Sequence, residues 1–160
     1  MKRAIITAIL AAAFIILALP AYAQQEIQIA NGYKIVLSKE YQNDKYLSYP
    51  GSATYSDKKS NITLASQKLD KKSADIDKQR EVITKQLKMS RFDVTESKTI
   101  KINDYPAFVL KYSMNKGKAQ FCQYGIIADN SMYIMTCATS KSLMGKYAPE
   151  FQKAAESFSK

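Results

Sequence analysis

The run from Gln120 to Thr139, QFCQYGIIADNSMYIMTCAT, constrains the fold more than any other stretch of the chain. Two apolar segments flank the polar pair Asp129-Asn130, which reads as the tip of a β-hairpin. With the tip there, Cys122, Tyr124, Ile126, Tyr133 and Met135 fall on one face, and Phe121, Ile127, Met132 and Ile134 on the other. A strand pair that is apolar on both faces has to be covered on both sides. A single sheet open to water is thereby excluded.

Two segments with helical spacing can supply the cover. SADIDKQREVITKQLKM, from Ser73, carries Ile76, Ile83 and Leu87 on one stripe, flanked by Val82 and Met89. Ser73 is placed to cap it, with Asp75 and Asp77 at the positive dipole end and Lys85 and Lys88 at the other. Near the C-terminus, Leu143, Tyr147, Phe151, Ala154 and Phe158 share a second helical face, in which Pro149 is expected to start a new segment or to kink the helix. The remaining segments alternate. EIQIANGYKIVL turns at Asn31-Gly32, and a polar excursion from Ser38 to Ser60 holds a short strand near Ala53–Tyr55. Asn61–Gln67 is a strand, and FDVTESKTIKI meets YPAFVLKYSM at Asn103-Asp104, with Phe108, Leu110 and Tyr112 on one face. Asn115-Lys116-Gly117 makes the next turn. Strands, helix, strands, helix predict an α+β fold, a mainly antiparallel β-sheet with helices packed on both faces.

The chain opens with Lys2 and Arg3, an apolar run from Ala4 to Leu19, and the small-x-small triplet Ala21-Tyr22-Ala23. This is the pattern of a secretory signal peptide over residues 1–23, with cleavage between Ala23 and Gln24. The expected product is a single domain, residues 24–160, periplasmic or secreted. Its formal charge falls from +10 to +8 as Lys2 and Arg3 leave. Only Arg80 and Arg91 remain as arginines, so bidentate recognition of nucleic acid is not expected. A lysine-rich surface is explained by solubility and also suits anionic lipids, glycans or an acidic protein.

Cys122 and Cys137 stand directly opposite one another in the expected register. In an oxidising compartment that pairing predicts a disulfide, although a strict two-residue turn puts the pair at a hydrogen-bonded site, where the backbones lie further apart. The chain has no histidine, which removes Ser-His-Asp and Cys-His catalysis and most catalytic metal sites. Two S-x-x-K matches, Ser56–Lys59 and Ser113–Lys116, occur at about the frequency chance predicts. No cofactor, metal or catalytic residue is expected, and no enzymatic activity.

Tyr41, Tyr46, Tyr49 and Tyr55 are interleaved with Lys39, Lys45, Lys58 and Lys59. They are either rings that anchor a long excursion onto the sheet or a binding face for a peptide, glycan or headgroup. Anchoring is the simpler role.

In element order and landmarks the chain resembles the PsbP/DcrB-like family. The landmarks are GYKIVL, NITLASQKLD leading into a helix, TIKINDYPAFVLKYSM, the paired QYGIIADNSMYIMTCAT, and YAPEFQKAAESF. The resemblance implies a central antiparallel sheet between helices, a PsbP-like α/β/α sandwich. It also implies an accessory or assembly role without a shared active site, so no binding residue is carried over. Together these readings predict a monomeric, non-enzymatic binding protein of the envelope that acts through a protein partner. The alternative is a small-molecule or lipid carrier using a cleft between sheet and helices.

Overall fold

The computed structural model describes residues 23–70, 74–114 and 116–160. The expected signal peptide lies outside these residues except for Ala23, as do Ser73 and Asn115. Eleven elements follow in order: β1 (Gln24–Gln28), β2 (Lys34–Ser38), β3 (Gln42–Asn43), β4 (Ser52–Ser56), β5 (Ser60–Lys68), α1 (Ile76–Met89), β6 (Asp93–Ile102), β7 (Tyr105–Met114), β8 (Ala119–Ala128), β9 (Ser131–Ser140) and α2 (Lys141–Glu156). Seven strands form one sheet in the order β3-β4-β5-β9-β8-β7-β6, antiparallel throughout, and β1 and β2 form a separate hairpin.

The turns sit where the sequence places them because their residues tolerate the left-handed backbone. Asn31 and Gly32 have φ of 54° and 79°, Asn103 and Asp104 47° and 67°, and Asp129 and Asn130 47° and 56°. These are the positive φ pairs that two-residue hairpin turns require and that asparagine, aspartate and glycine adopt at least cost. The tip at Asp129-Asn130 fixes the β8–β9 register, and with it which side chains face which way.

Both faces of the sheet are covered. On one, Cys122, Tyr124, Ile126, Tyr133 and Met135 pack under Tyr147, Phe151, Ala154 and Ala155 of α2 and under Ile27, Ile35 and Leu37 of the hairpin. On the other, Phe108, Leu110, Tyr112, Ile127 and Met132 meet Ile76, Ile83 and Leu87 of α1, with Phe121 and Ile134 at the margin. Four rings, Tyr33, Tyr105, Tyr133 and Phe158, close the α2 side. Phe158 stacks on Tyr33 at 4.9 Å and 8° and meets Tyr105 edge-on at 5.4 Å. The last residues also pair with β2, since Lys34 and Ser159 exchange both backbone hydrogen bonds, at 2.8 and 3.1 Å.

Two details differ from expectation. The cap of α1 is Asp75, not Ser73: its carboxylate accepts from the backbone amides of Asp77 and Lys78. A carboxylate at this position adds a favourable charge–dipole interaction to the hydrogen bonds. Of the two roles expected of Pro149, the start of a new segment is not what forms: α2 runs through it from Lys141 to Glu156. Proline deprives the carbonyl four residues earlier of its donor. Here that carbonyl belongs to Gly145, and both Gly145 and Pro149 face solvent, so water can replace the lost partner.

Candidate functional site

The four tyrosines of the excursion do not form one face. Tyr41 is 1% exposed, its hydroxyl 2.6 Å from that of buried Ser60, and Tyr55 is half-buried against the core. These two are anchors. Tyr46 and Tyr49 are 96% and 70% exposed, and Leu47 between them is 44% exposed.

The loop that carries the exposed pair is firmly built. The Asp44 carboxylate accepts from the backbone amides of Tyr46 and Leu47 at 3.0 and 3.2 Å. The Ser48 hydroxyl donates to the Asp44 carbonyl at 2.8 Å and accepts from the Thr54 amide at 2.9 Å. The Thr54 hydroxyl donates to the Leu47 carbonyl at 3.0 Å, and Gly51 takes a φ of 85° to return the chain into β4. Three polar side chains thus hold two tyrosine rings and a leucine in water. Leu47 is the member that sequence reasoning missed; a lone apolar residue in a polar loop carries no periodicity to mark it.

A second feature lies behind β2. A cleft of about 910 Å³ opens between the hairpin, β5 and α2, with Leu37, Tyr41 and Ile62 in its walls and Lys146, Glu150 and Lys153 around it. Ala23 and Gln24, the residues flanking the expected cleavage point, also line it. Near it, the Tyr147 hydroxyl donates to the Asp57 carboxylate at 2.6 Å. Burial, with Asp57 accepting that bond, pushes the Tyr147 hydroxyl up to about 12. Burial also raises Asp57, but hydrogen bonds from Tyr147, the Lys59 and Ser60 amides and the Ser60 hydroxyl outweigh it and hold the carboxyl below its usual range. Glu150 goes the other way, raised first by burial and then by Asp57 and Glu40.

Cys122 and Cys137 stand opposite each other as expected, yet both thiols are free and the predicted disulfide is not formed. Counting back from the two-residue tip, the pair falls at a hydrogen-bonded site, where facing side chains stand further apart than at a non-hydrogen-bonded one. Burial raises the pKa of both thiols, Cys137 furthest. Protonated, enclosed thiols are poor nucleophiles.

No protein-family model and no curated protein matches the chain. Solved structures do. Cyanobacterial PsbP from Synechocystis matches with a TM-score of 0.67 at 10% identity, covering 89% of this chain and 95% of that one. The fold is PsbP-like. LpqN of Mycobacterium tuberculosis, described as involved in cell envelope biogenesis, matches at 0.60 and 10% identity, over 86% of this chain and 90% of that one. A Pseudomonas aeruginosa protein of unknown function, described as a putative regulator, matches at 0.53 and 12%, over 86% and 96%. Identities this low speak for the PsbP-like fold alone, and the expected two-sided sandwich is what they share with this chain.

Proposed function

We propose that the chain is an exported, non-enzymatic accessory protein of the cell envelope that acts by binding a protein partner through the loop bearing Tyr46, Leu47 and Tyr49. The observation that carries this reading is the contrast between a hydrogen-bonded loop backbone and three large apolar side chains held in solvent. Tyrosine supplies a large contact area at small entropic cost, and a prebuilt loop avoids the ordering penalty of association. The leader-like start, the absence of histidine and the enclosed thiols support an exported binding role, as does a fold shared with LpqN.

The test is site-specific photo-crosslinking in the native envelope, with benzoylphenylalanine at position 46 or 49 and at exposed Val82 of α1 as control. One protein captured from both tyrosine positions and not from Val82 is the expected result. Tyr46→Ala and Tyr49→Ala are each expected to weaken that complex by about 2 kcal/mol, as central aromatic anchors do. Equal capture from Val82, or full affinity in the Tyr46→Ala/Tyr49→Ala double variant, would sink the proposal.

The cleft motivates a second reading, a carrier of an amphipathic small molecule or lipid. Its volume lies within the range of small-molecule sites, and its lining combines apolar side chains with charged groups. A stoichiometric lipid found by native mass spectrometry of protein taken from its own envelope would move the function there.

A further inference from the structure

Three turns that are far apart in sequence meet at one end of the sheet: the β4–β5 turn at 57–59, the β7–β8 turn at 116–118 and the β9–α2 junction at 139–141. Register brings them together, with Ser60 opposite Thr139 and Ala119 opposite Ser140. Hydrogen bonds then join them. The Thr139 hydroxyl donates to the Lys59 carbonyl at 2.9 Å, and the Lys141 amide donates to the Lys118 carbonyl at 3.0 Å. Five lysines, 58, 59, 116, 118 and 141, all exposed, are collected over roughly three strand spacings, about 14 Å.

No ion pair among the described residues engages them. The ion pairs among the described residues involve Lys34, Lys78, Arg80, Lys98, Lys111 and Lys160, and none of these five. The only carboxylate in the three turns is Asp57, whose bonds to Tyr147, Ser60 and backbone amides keep it ionised and turned to neutral donors, so five lysines stand against one acid. At the opposite end of the sheet, by contrast, Lys160 is paired with Asp129 at 2.8 Å.

We infer that this lysine end is a docking surface for a membrane bearing anionic phospholipid headgroups. Composition decides between partners. Protein interfaces are depleted in lysine and rest on aromatic and arginine anchors, and these turns contain neither. Four to eight clustered basic residues at a surface are what anionic bilayers attract, through additive and diffuse Coulomb forces that need no bidentate geometry. The loop of Tyr46 and Tyr49 precedes β4, whereas Lys58 and Lys59 follow it, so a membrane-docked molecule carries its aromatic loop at the other end of that strand. The inference stands whether or not that loop binds a partner.

The test is co-sedimentation of the chain beginning at Gln24 with vesicles of mixed phosphatidylglycerol and phosphatidylcholine, and with phosphatidylcholine alone. Binding to the anionic vesicles, weakening as salt rises, is expected. The variant Lys59→Glu/Lys118→Glu/Lys141→Glu is expected to lose at least about tenfold in partitioning. An equal charge change at exposed Lys39, Lys85 and Lys101 is expected to cost far less. Lys141→Glu alone separates binding from folding, because an acid in the first turn of α2 favours the helix while removing one headgroup contact. Equal losses in both triple variants, equal binding to neutral vesicles, or no binding to anionic ones would each overturn the assignment. So would crosslinks from Lys59 and Lys118 to an acidic envelope protein in a chain that ignores vesicles.

Discussion

On the α2 side of the sheet, 22 of the described residues form one buried cluster; on the α1 side, six do. Each side has one amphipathic helix, but α2 buries Tyr147, Phe151, Ala154 and Ala155 whereas α1 buries no residue fully. The difference comes from the β1–β2 hairpin. It lies beside α2 and adds Ile27, Tyr33, Ile35 and Leu37 to that cover, while α1 stands alone over Phe108, Leu110 and Tyr112. Two elements sharing one face exclude water from more surface than one, since a lone helix exposes both its flanks. Val82 and Met89, 51% and 75% exposed, are the flanks of α1.

If the α2 side holds the molecule together, truncation there should cost most. Phe151→Ala, at a fully buried position, is expected to destabilise by about 3–5 kcal/mol, and Leu87→Ala on α1 by about 1 kcal/mol, as read from urea midpoints. Similar losses for the two would erase the asymmetry.

The thinner side is still tightly packed at its centre. A Cβ on Gly125 would lie 2.2 and 2.3 Å from ring atoms of fully buried Phe108. Gly125→Ala is therefore expected to cost about 1–3 kcal/mol by overpacking, with partial recovery when combined with Phe108→Leu. No recovery in the double variant would place the cost elsewhere than that ring.

The smallest effects are those of pH, and they fall on the α2 side with opposite signs. Asp57 has a depressed folded pKa, so its contribution is present above the unfolded carboxyl value and is lost as pH falls through the folded one. Tyr147→Phe removes a bond that holds it down, and its deficit against wild type should shrink in acid. Glu150 has a raised folded pKa, so its ionised form costs stability at neutral pH, a cost relieved as pH falls through that raised value. Glu150→Gln should gain most near neutrality and nothing in acid. Parallel stability–pH curves for wild type and either variant would contradict these signs.

Much of the fold was legible because its turns are chemically marked. Asn31-Gly32, Asn103-Asp104 and Asp129-Asn130 each announce a left-handed pair, and the last one was enough to set Cys122 opposite Cys137 and to assign both faces of that hairpin. Less local features were not legible. The two-residue β3 has no period to detect, and α2 passes through Pro149 because exposure, which the sequence does not state, makes the missing donor tolerable. Of the candidate site, the segment could be marked but its tyrosines could not be sorted. Tyr41 and Tyr46 differ only in what the rest of the chain brings near them, Ser60 in one case and solvent in the other. The lysine end was invisible for the same reason, its members being gathered from positions 58 to 141 by strand register alone.

The exchange of bonds between Lys34 and Ser159, with Phe158 seated on Tyr33, ties the beginning of the described chain to its end. Such a closure sets an order of events. The first hairpin cannot find its final cover until Phe158 and Ser159 arrive, so a nascent chain emerging from the ribosome lacks the clasp until those residues are out. Contacts this far apart in sequence are slow to form, because the entropy of closing a long loop comes before its reward. On the export reading, that delay is useful: the chain stays threadable until it has crossed, and the clasp closes on the far side.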